Sequence, residues 1–84
     1  MGEARTDLIA SLAEHIGAPP LTAAEMESIL ALAAVAAHGT GDRTTAPMAT
    51  FLAGIAAASA PDRNAVLDDI RRTAATLAPT PDAA

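Results

Sequence analysis

The residues best suited to chemistry lie in one polar segment between two apolar stretches. His38 closes one predicted helix, and Arg43, Thr44 and Thr45 precede the next. A helix N-terminus presents unpaired amides and partial positive charge, and a nearby arginine would complete an anion site. The pattern therefore predicts a site for a phosphate or a carboxylate. The structural alternative is that His38 favours the negative end of its own helix and Arg43 bonds the last carbonyls of that helix.

A second candidate is a stripe of small residues, in which Ala46, Thr50, Gly54 and Ala58 recur at intervals of four. Glycine inside a helix costs about 1 kcal/mol relative to alanine. We therefore expect a neighbour at Gly54 that needs the space. Helix two or helix four at close approach is the first expectation, and the helix of a partner or a ligand is the alternative. Thr50 and Gly54 join the candidate binding residues on this ground.

Catalytic and metal-binding patterns are missing from the sequence. The chain has no cysteine, and its two histidines, His15 and His38, lack the spacing of a metal site. No serine stands in a glycine elbow. Ser28 follows Glu27 in mid-helix, which argues against an acyl carrier protein, where the modified serine opens a helix. We expect no catalytic residue, no metal and no cofactor.

Composition narrows the class of partner. The net charge is −5, all five basic residues are arginine, and Phe51 is the lone aromatic, so no basic stripe or stacking platform for nucleic acid exists. No apolar run reaches the roughly 18 residues that a membrane span needs. Met1–Arg5 lacks the charge pattern of a signal peptide. We expect a cytoplasmic protein, and the alanine-rich, lysine-free composition fits a GC-rich bacterial genome.

Four helices are predicted from apolar periodicity and from end signals. Helix one runs from Arg5 to Ile16 and stops before Gly17. Helix two opens with a capping box, Thr22 with Glu25, and ends at His38-Gly39. Helix three follows Ala46 as N-cap with Pro47 as its first residue, because a residue before proline avoids the helical region. Helix four begins after Asp62, whose charge suits a helix start, and runs to Leu77.

These elements predict an all-α fold, a compact four-helix bundle that is mostly antiparallel, with helix two at the centre. Residues 1–78 form one domain and residues 79–84 a disordered tail. A core of so few large side chains is marginal at this length, so self-association or docking on a partner is a further expectation. The side chains counted toward the core are Leu8, Ile9, Leu12, Ile16, Leu21, Met26, Ile29, Leu30, Leu32, Val35, Met48, Phe51, Leu52, Ile55, Val66, Leu67, Ile70 and Leu77.

The segment from Ala37 to Gly54 resembles a small, uncharacterised, all-helical bacterial family. The shared pattern is Ala-His, then Arg, then Ala-Pro, then Thr-Phe/Tyr-Leu-Ala-Gly, and here it is met by His38, Arg43, Ala46, Pro47, Thr50, Phe51, Leu52 and Gly54. Such domains stand alone or extend molybdenum-cofactor guanylyltransferase-like proteins, which make molybdopterin guanine dinucleotide. The resemblance thus implies an accessory role, because the chain has neither the glycine-rich phosphate loop nor the strands of the transferase.

Taken together, these patterns favour a non-enzymatic interaction or accessory module. It would dock on a protein partner, in molybdenum-cofactor biosynthesis as the resemblance implies, or on a second copy of itself. The alternative is a domain that binds a phosphate-bearing small ligand or nucleotide. For either function the candidate binding residues are His38, Arg43, Thr44, Thr45, Thr50 and Gly54.

Overall fold

The computed structural model describes residues 2–78, and these residues form four α-helices. The helices are α1 (Gly2–Ile16), α2 (Ala23–Thr40), α3 (Thr45–Ala57) and α4 (Arg63–Leu77). No strand occurs within residues 2–78. The predicted all-α four-helix fold is confirmed. The tail that we predicted to be disordered, residues 79–84, lies outside the described residues.

Several helix ends form as their local sequences predict. Gly17 ends α1 in the left-handed region, at φ 72°. At the start of α2, the Glu25 amide donates to the Thr22 hydroxyl at 3.1 Å, and the Thr22 amide donates to the Glu25 carboxylate at 2.8 Å, so both halves of the capping box are present. At the start of α4, the Asp62 carboxylate accepts from the Ala65 amide at 3.1 Å.

The corner between α2 and α3 differs from its prediction by a few residues. Helix α2 continues to Thr40, and Gly41 ends it at φ 71° while its amide donates to the Ala37 carbonyl at 2.9 Å. Helix α3 already begins at Thr45, which makes Pro47 its third residue instead of its first. Proline is tolerated there because the first amides of a helix have no intrahelical acceptor.

The core is formed by α2, α3 and α4, with α2 packed against both of the others. The prediction that helix two is central is therefore confirmed. Two leucines and two alanines form the buried cluster of the core: Leu32 of α2, Ala53 and Ala57 of α3, and Leu67 of α4. Alanine faces let helix axes approach closely, so this core gains close backbone packing in place of bulky side chains.

Helix α3 turns its alanine face toward the core and its largest side chains toward solvent. Met48, Phe51, Leu52 and Ile55 are between 59% and 70% exposed. We call these four residues the α3 apolar stripe. Their assignment to the core was wrong, because α3 is apolar on both faces and the alanine face packs more closely against α2 and α4.

Helix α1 packs least closely of the four. Among the described residues, no Cα atom of α1 lies within 8 Å of a Cα atom in another helix. Leu8, Leu12 and Ile16, counted toward the core from the sequence, are 51% to 68% exposed. Leu30 and Leu77 are also exposed, so much of the predicted apolar core lies at the surface of the described chain.

Candidate functional site

The predicted polar site at the α2–α3 corner is held together by its own hydroxyl groups. The Thr40 hydroxyl donates to the Ala36 carbonyl at 2.7 Å and lies 3.1 Å from the Thr45 hydroxyl. The Asp42 carboxylate accepts from the Thr44 hydroxyl at 2.7 Å and from the Thr44 amide at 2.9 Å. Thr44 and Thr45 are therefore already engaged by neighbouring residues of the loop.

Asp42 places a negative charge where an anion was expected to bind. Its hydrogen bonds from the Thr44 hydroxyl and then from the Thr44 amide hold the pKa of the Asp42 carboxyl below its usual value. The group stays ionised beside the amino end of α3, which favours negative charge. His38 and Arg43 are exposed on the same corner. Sequence reasoning missed the part played by Asp42, although an aspartate two residues before Thr44 is typical of a side chain that bonds its own turn.

Thr50 and Gly54, the other two predicted site residues, lie apart from this corner. Both line a groove bounded by α2, α3, α4 and the loop between α1 and α2. A Cβ atom built on Gly54 would meet no atom within 4 Å. The expectation that helix two or four approaches closely at Gly54 is therefore wrong. Ala53 and Ala57 make the close approach instead, on the neighbouring face of α3.

The groove has a volume of about 260 Å³ and is largely apolar. Ile29 and Leu67 lie along it, and Thr50, Gly54 and Ala57 of α3 form one wall, which continues to Ala58 just after the helix. The Thr50 hydroxyl donates to the Pro47 carbonyl at 3.1 Å, so its hydrogen bond is made within α3. The charged groups of the groove are Glu25 and Arg63, and these two side chains bind each other.

Glu25 and Arg63 form a bidentate ion pair between the starts of α2 and α4. The Arg63 guanidinium donates to the two carboxylate oxygens of Glu25 at 2.6 and 2.8 Å, and to the Pro20 carbonyl at 3.0 Å. The Glu25 side chain is 5% exposed and that of Arg63 is 26% exposed. The hydrogen bond from Arg63, followed by that from the Thr22 amide, lowers the pKa of Glu25. Because each charge is compensated by the other, the pair has a structural role.

The α3 apolar stripe is the most distinctive surface of the described chain. Its members recur at i, i+3, i+4 and i+7, the spacing with which one helix packs against another. No charged residue occurs anywhere in Thr45–Ala57. Sequence reasoning identified this stripe but placed it inside, because periodicity shows that a face is apolar without showing what covers it.

Residues 2–78 contain neither a metal-binding cluster nor a membrane-spanning helix. No group of three histidine, aspartate or glutamate side chains lies together in a way that could hold a metal ion. None of the four helices combines the length and the apolar character required to cross a bilayer.

Comparison with known proteins identifies a family and no function. No curated protein and no solved structure matches the chain. A family model described as a domain of unknown function, DUF6457, matches residues 2–84. This agrees with the expected small family without an assigned activity, and nothing in the match concerns the molybdenum cofactor. Because the match covers nearly the whole sequence, the chain belongs to the DUF6457 family.

Proposed function

We propose that this protein is a cytoplasmic, non-enzymatic helical interaction module that docks on a protein through the α3 apolar stripe. The observation that carries the proposal is the orientation of α3, which buries Ala53 and Ala57 and exposes Phe51 and its neighbours. Because the alanine face of α3 packs against α2 and α4, the large side chains on its other face are left available for contact with another protein.

The free energy available at this surface is considerable. Burying a large apolar side chain contributes roughly 1.5–3 kcal/mol, and the four members of the stripe stand side by side on one helix. Large aromatic and aliphatic side chains clustered in this way form the energetic centre of protein interfaces. The largest contiguous apolar patch on a protein surface is often functional, and such patches mark interaction sites.

Binding of an anion or nucleotide at the α2–α3 corner receives less support than docking. The Asp42 carboxylate stands beside the amino end of α3 and accepts both hydrogen bonds of Thr44. An incoming phosphate would have to displace that carboxylate or lie next to it, at a cost in like-charge repulsion. The corner thus supports a structural role for Asp42, Thr44 and Thr45.

The identity of the partner is the finer part of the proposal. The resemblance of residues 37–54 to domains that extend molybdenum-cofactor guanylyltransferase-like proteins makes such an enzyme one candidate. The α3 apolar stripe overlaps that segment, since Met48, Phe51 and Leu52 lie within it. A role in molybdopterin guanine dinucleotide biosynthesis would then be that of an accessory module, and the partner would supply the catalytic residues.

Photo-crosslinking in cells tests the proposal. A photoreactive phenylalanine analogue replaces Phe51, and in a matched variant it replaces Thr76, which is exposed on α4. We expect one discrete adduct from position 51, identified by mass spectrometry, and none from position 76. The adduct is expected to disappear when Leu52→Glu is added, because a buried charge without a partner is strongly unfavourable.

The same experiment separates the possible outcomes. An adduct with a guanylyltransferase supports the molybdenum link, and a discrete adduct with any other protein removes the link but leaves docking in place. An equal, diffuse pattern from positions 51 and 76 would contradict docking through α3 altogether.

A further inference from the structure

We propose that the α3 apolar stripe binds a second copy of this chain, forming a twofold-symmetric dimer in which the two α3 helices cross at Phe51 and Leu52. The inference rests on the proposed function, since it names the occupant of the same surface. Three observations carry it: the exposed area, the absence of charge, and the symmetry of the stripe.

The exposed area is of the size that a small dimer requires. With exposures of 59% to 70%, Met48, Phe51, Leu52 and Ile55 leave on the order of 500 Å² of apolar surface uncovered, which is toward the upper end of the range for the largest patch on a monomer. If these side chains were buried completely, two copies would cover roughly 1,000 Å² between them, and a specific interface buries about 1,200–2,000 Å². The flanking residues of α3 would supply the rest.

The distribution of charge favours a second copy over a charged partner. The chain carries a net charge of −5, so two copies repel each other over most of their surfaces. Helix α3 is the exception, because Thr45–Ala57 contains no acidic or basic residue. An α3–α3 contact therefore brings no like charges together at its centre. A basic partner would find no carboxylate on this helix to pair with.

The order of residues along the stripe is suited to a twofold axis. In a twofold-symmetric interface every contact occurs twice. If residue i of one copy contacts residue j of the other, then residue j of the first copy also contacts residue i of the second. The midpoint of the stripe falls between Phe51 and Leu52. An antiparallel crossing at that point places Phe51 of one copy against Leu52 of the other, and Met48 against Ile55. Each large side chain then meets another large apolar side chain.

Sedimentation equilibrium of the purified chain tests the dimer. We expect the wild type to dimerise reversibly, and Leu52→Glu to raise the dimer dissociation constant by at least about 30-fold. The matched control is Leu12→Glu, which adds the same charge to an exposed leucine of α1 and is expected to leave the dissociation constant unchanged. Circular dichroism of each variant monitors its helix content.

Cysteine crosslinking keeps the inference testable if Leu52→Glu fails to fold. The chain has no cysteine of its own, so a single introduced cysteine reports only its own contact. Leu52→Cys is expected to form a covalent dimer with a short bifunctional maleimide, whereas Leu12→Cys is expected to remain monomeric.

A wild type that stays monomeric at hundreds of micromolar would overturn the inference, as would dissociation by Leu12→Glu with Leu52→Glu still dimeric. Either result leaves docking on a different protein intact, because the crosslinking in cells tests that separately.

Discussion

At the scale of single residues, Glu25 connects more of the structure than any other described polar group. Its carboxylate completes the capping box of α2, accepts two hydrogen bonds from Arg63 of α4, and is almost fully buried. Arg63 in turn donates to the Pro20 carbonyl in the loop before α2. A buried carboxylate is tolerated only when paired and hydrogen-bonded, and here both conditions hold.

Arg63→Ala is therefore expected to lower the free energy of unfolding by about 2–3 kcal/mol, because it leaves the Glu25 carboxylate buried without its cation. This expected loss is smaller than that for breaking a fully buried ion pair, since a quarter of the Arg63 side chain remains in solvent. Urea denaturation at neutral pH measures the change. The matched control is Arg71→Ala, which removes a more exposed pair with Asp68 on the same helix and should change stability little. Equal losses in the two variants would contradict a special role for the Glu25–Arg63 pair.

At the scale of elements, several helix ends were predictable, whereas the ends at the α2–α3 corner and the rotation of the helix faces were not. Gly17, the Thr22–Glu25 box and Asp62 act within a few residues of themselves, so the sequence carries their full signal. The rotation of α3 depends on which of two apolar faces packs better against α2 and α4, and that comparison involves residues far apart in the chain. The Glu25–Arg63 pair could not be predicted for the same reason, since its two residues are 38 positions apart in the chain.

The environment of Gly54 leads to a prediction about α3 as a helix. Nothing lies within 4 Å of a Cβ atom built there, and its φ is not positive. Gly54→Ala is therefore expected to raise the free energy of unfolding by about 0.5–1 kcal/mol, because alanine loses less backbone entropy in a helix. Thermal unfolding measures the change.

Gly41→Ala is the control, since Gly41 has equal room but a φ of 71°, and this variant should lose about 1 kcal/mol. A destabilised Gly54→Ala would contradict the open environment of Gly54.

At the scale of the whole molecule, the alanine-rich helix faces determine which side chains are buried and which remain exposed. A core centred on Leu32, Ala53, Ala57 and Leu67 brings α2, α3 and α4 close together but encloses few large side chains. Most of the large apolar side chains that remain exposed lie on α1 and α3. The sequence predicted that so small a core would be marginal and would favour association. It could not predict which surface is left over, because that depends on the rotation of α3 in the assembled bundle.

The stability of the whole molecule should also depend on pH through Glu25. Its pKa is lowered from the ordinary value of 4.5, first by the hydrogen bond from Arg63, so below that value the unfolded chain takes up a proton before the folded one does. The contribution of Glu25 is therefore complete above pH 4.5 and is lost as the pH falls through the lowered pKa of the folded state.

Asp42 and Asp68 also have lowered pKa values, so the wild-type curve alone does not isolate Glu25. The informative quantity is the difference in free energy of unfolding between the wild type and Glu25→Gln, measured by urea denaturation at one fixed protein concentration. That difference should be constant from pH 7 down to about 5 and should shrink progressively below pH 4.5. A difference that stays constant to acid pH would mean that the Glu25 carboxylate gains nothing from its charge. The pair with Arg63 would then stabilise the fold equally well with a protonated Glu25 carboxyl.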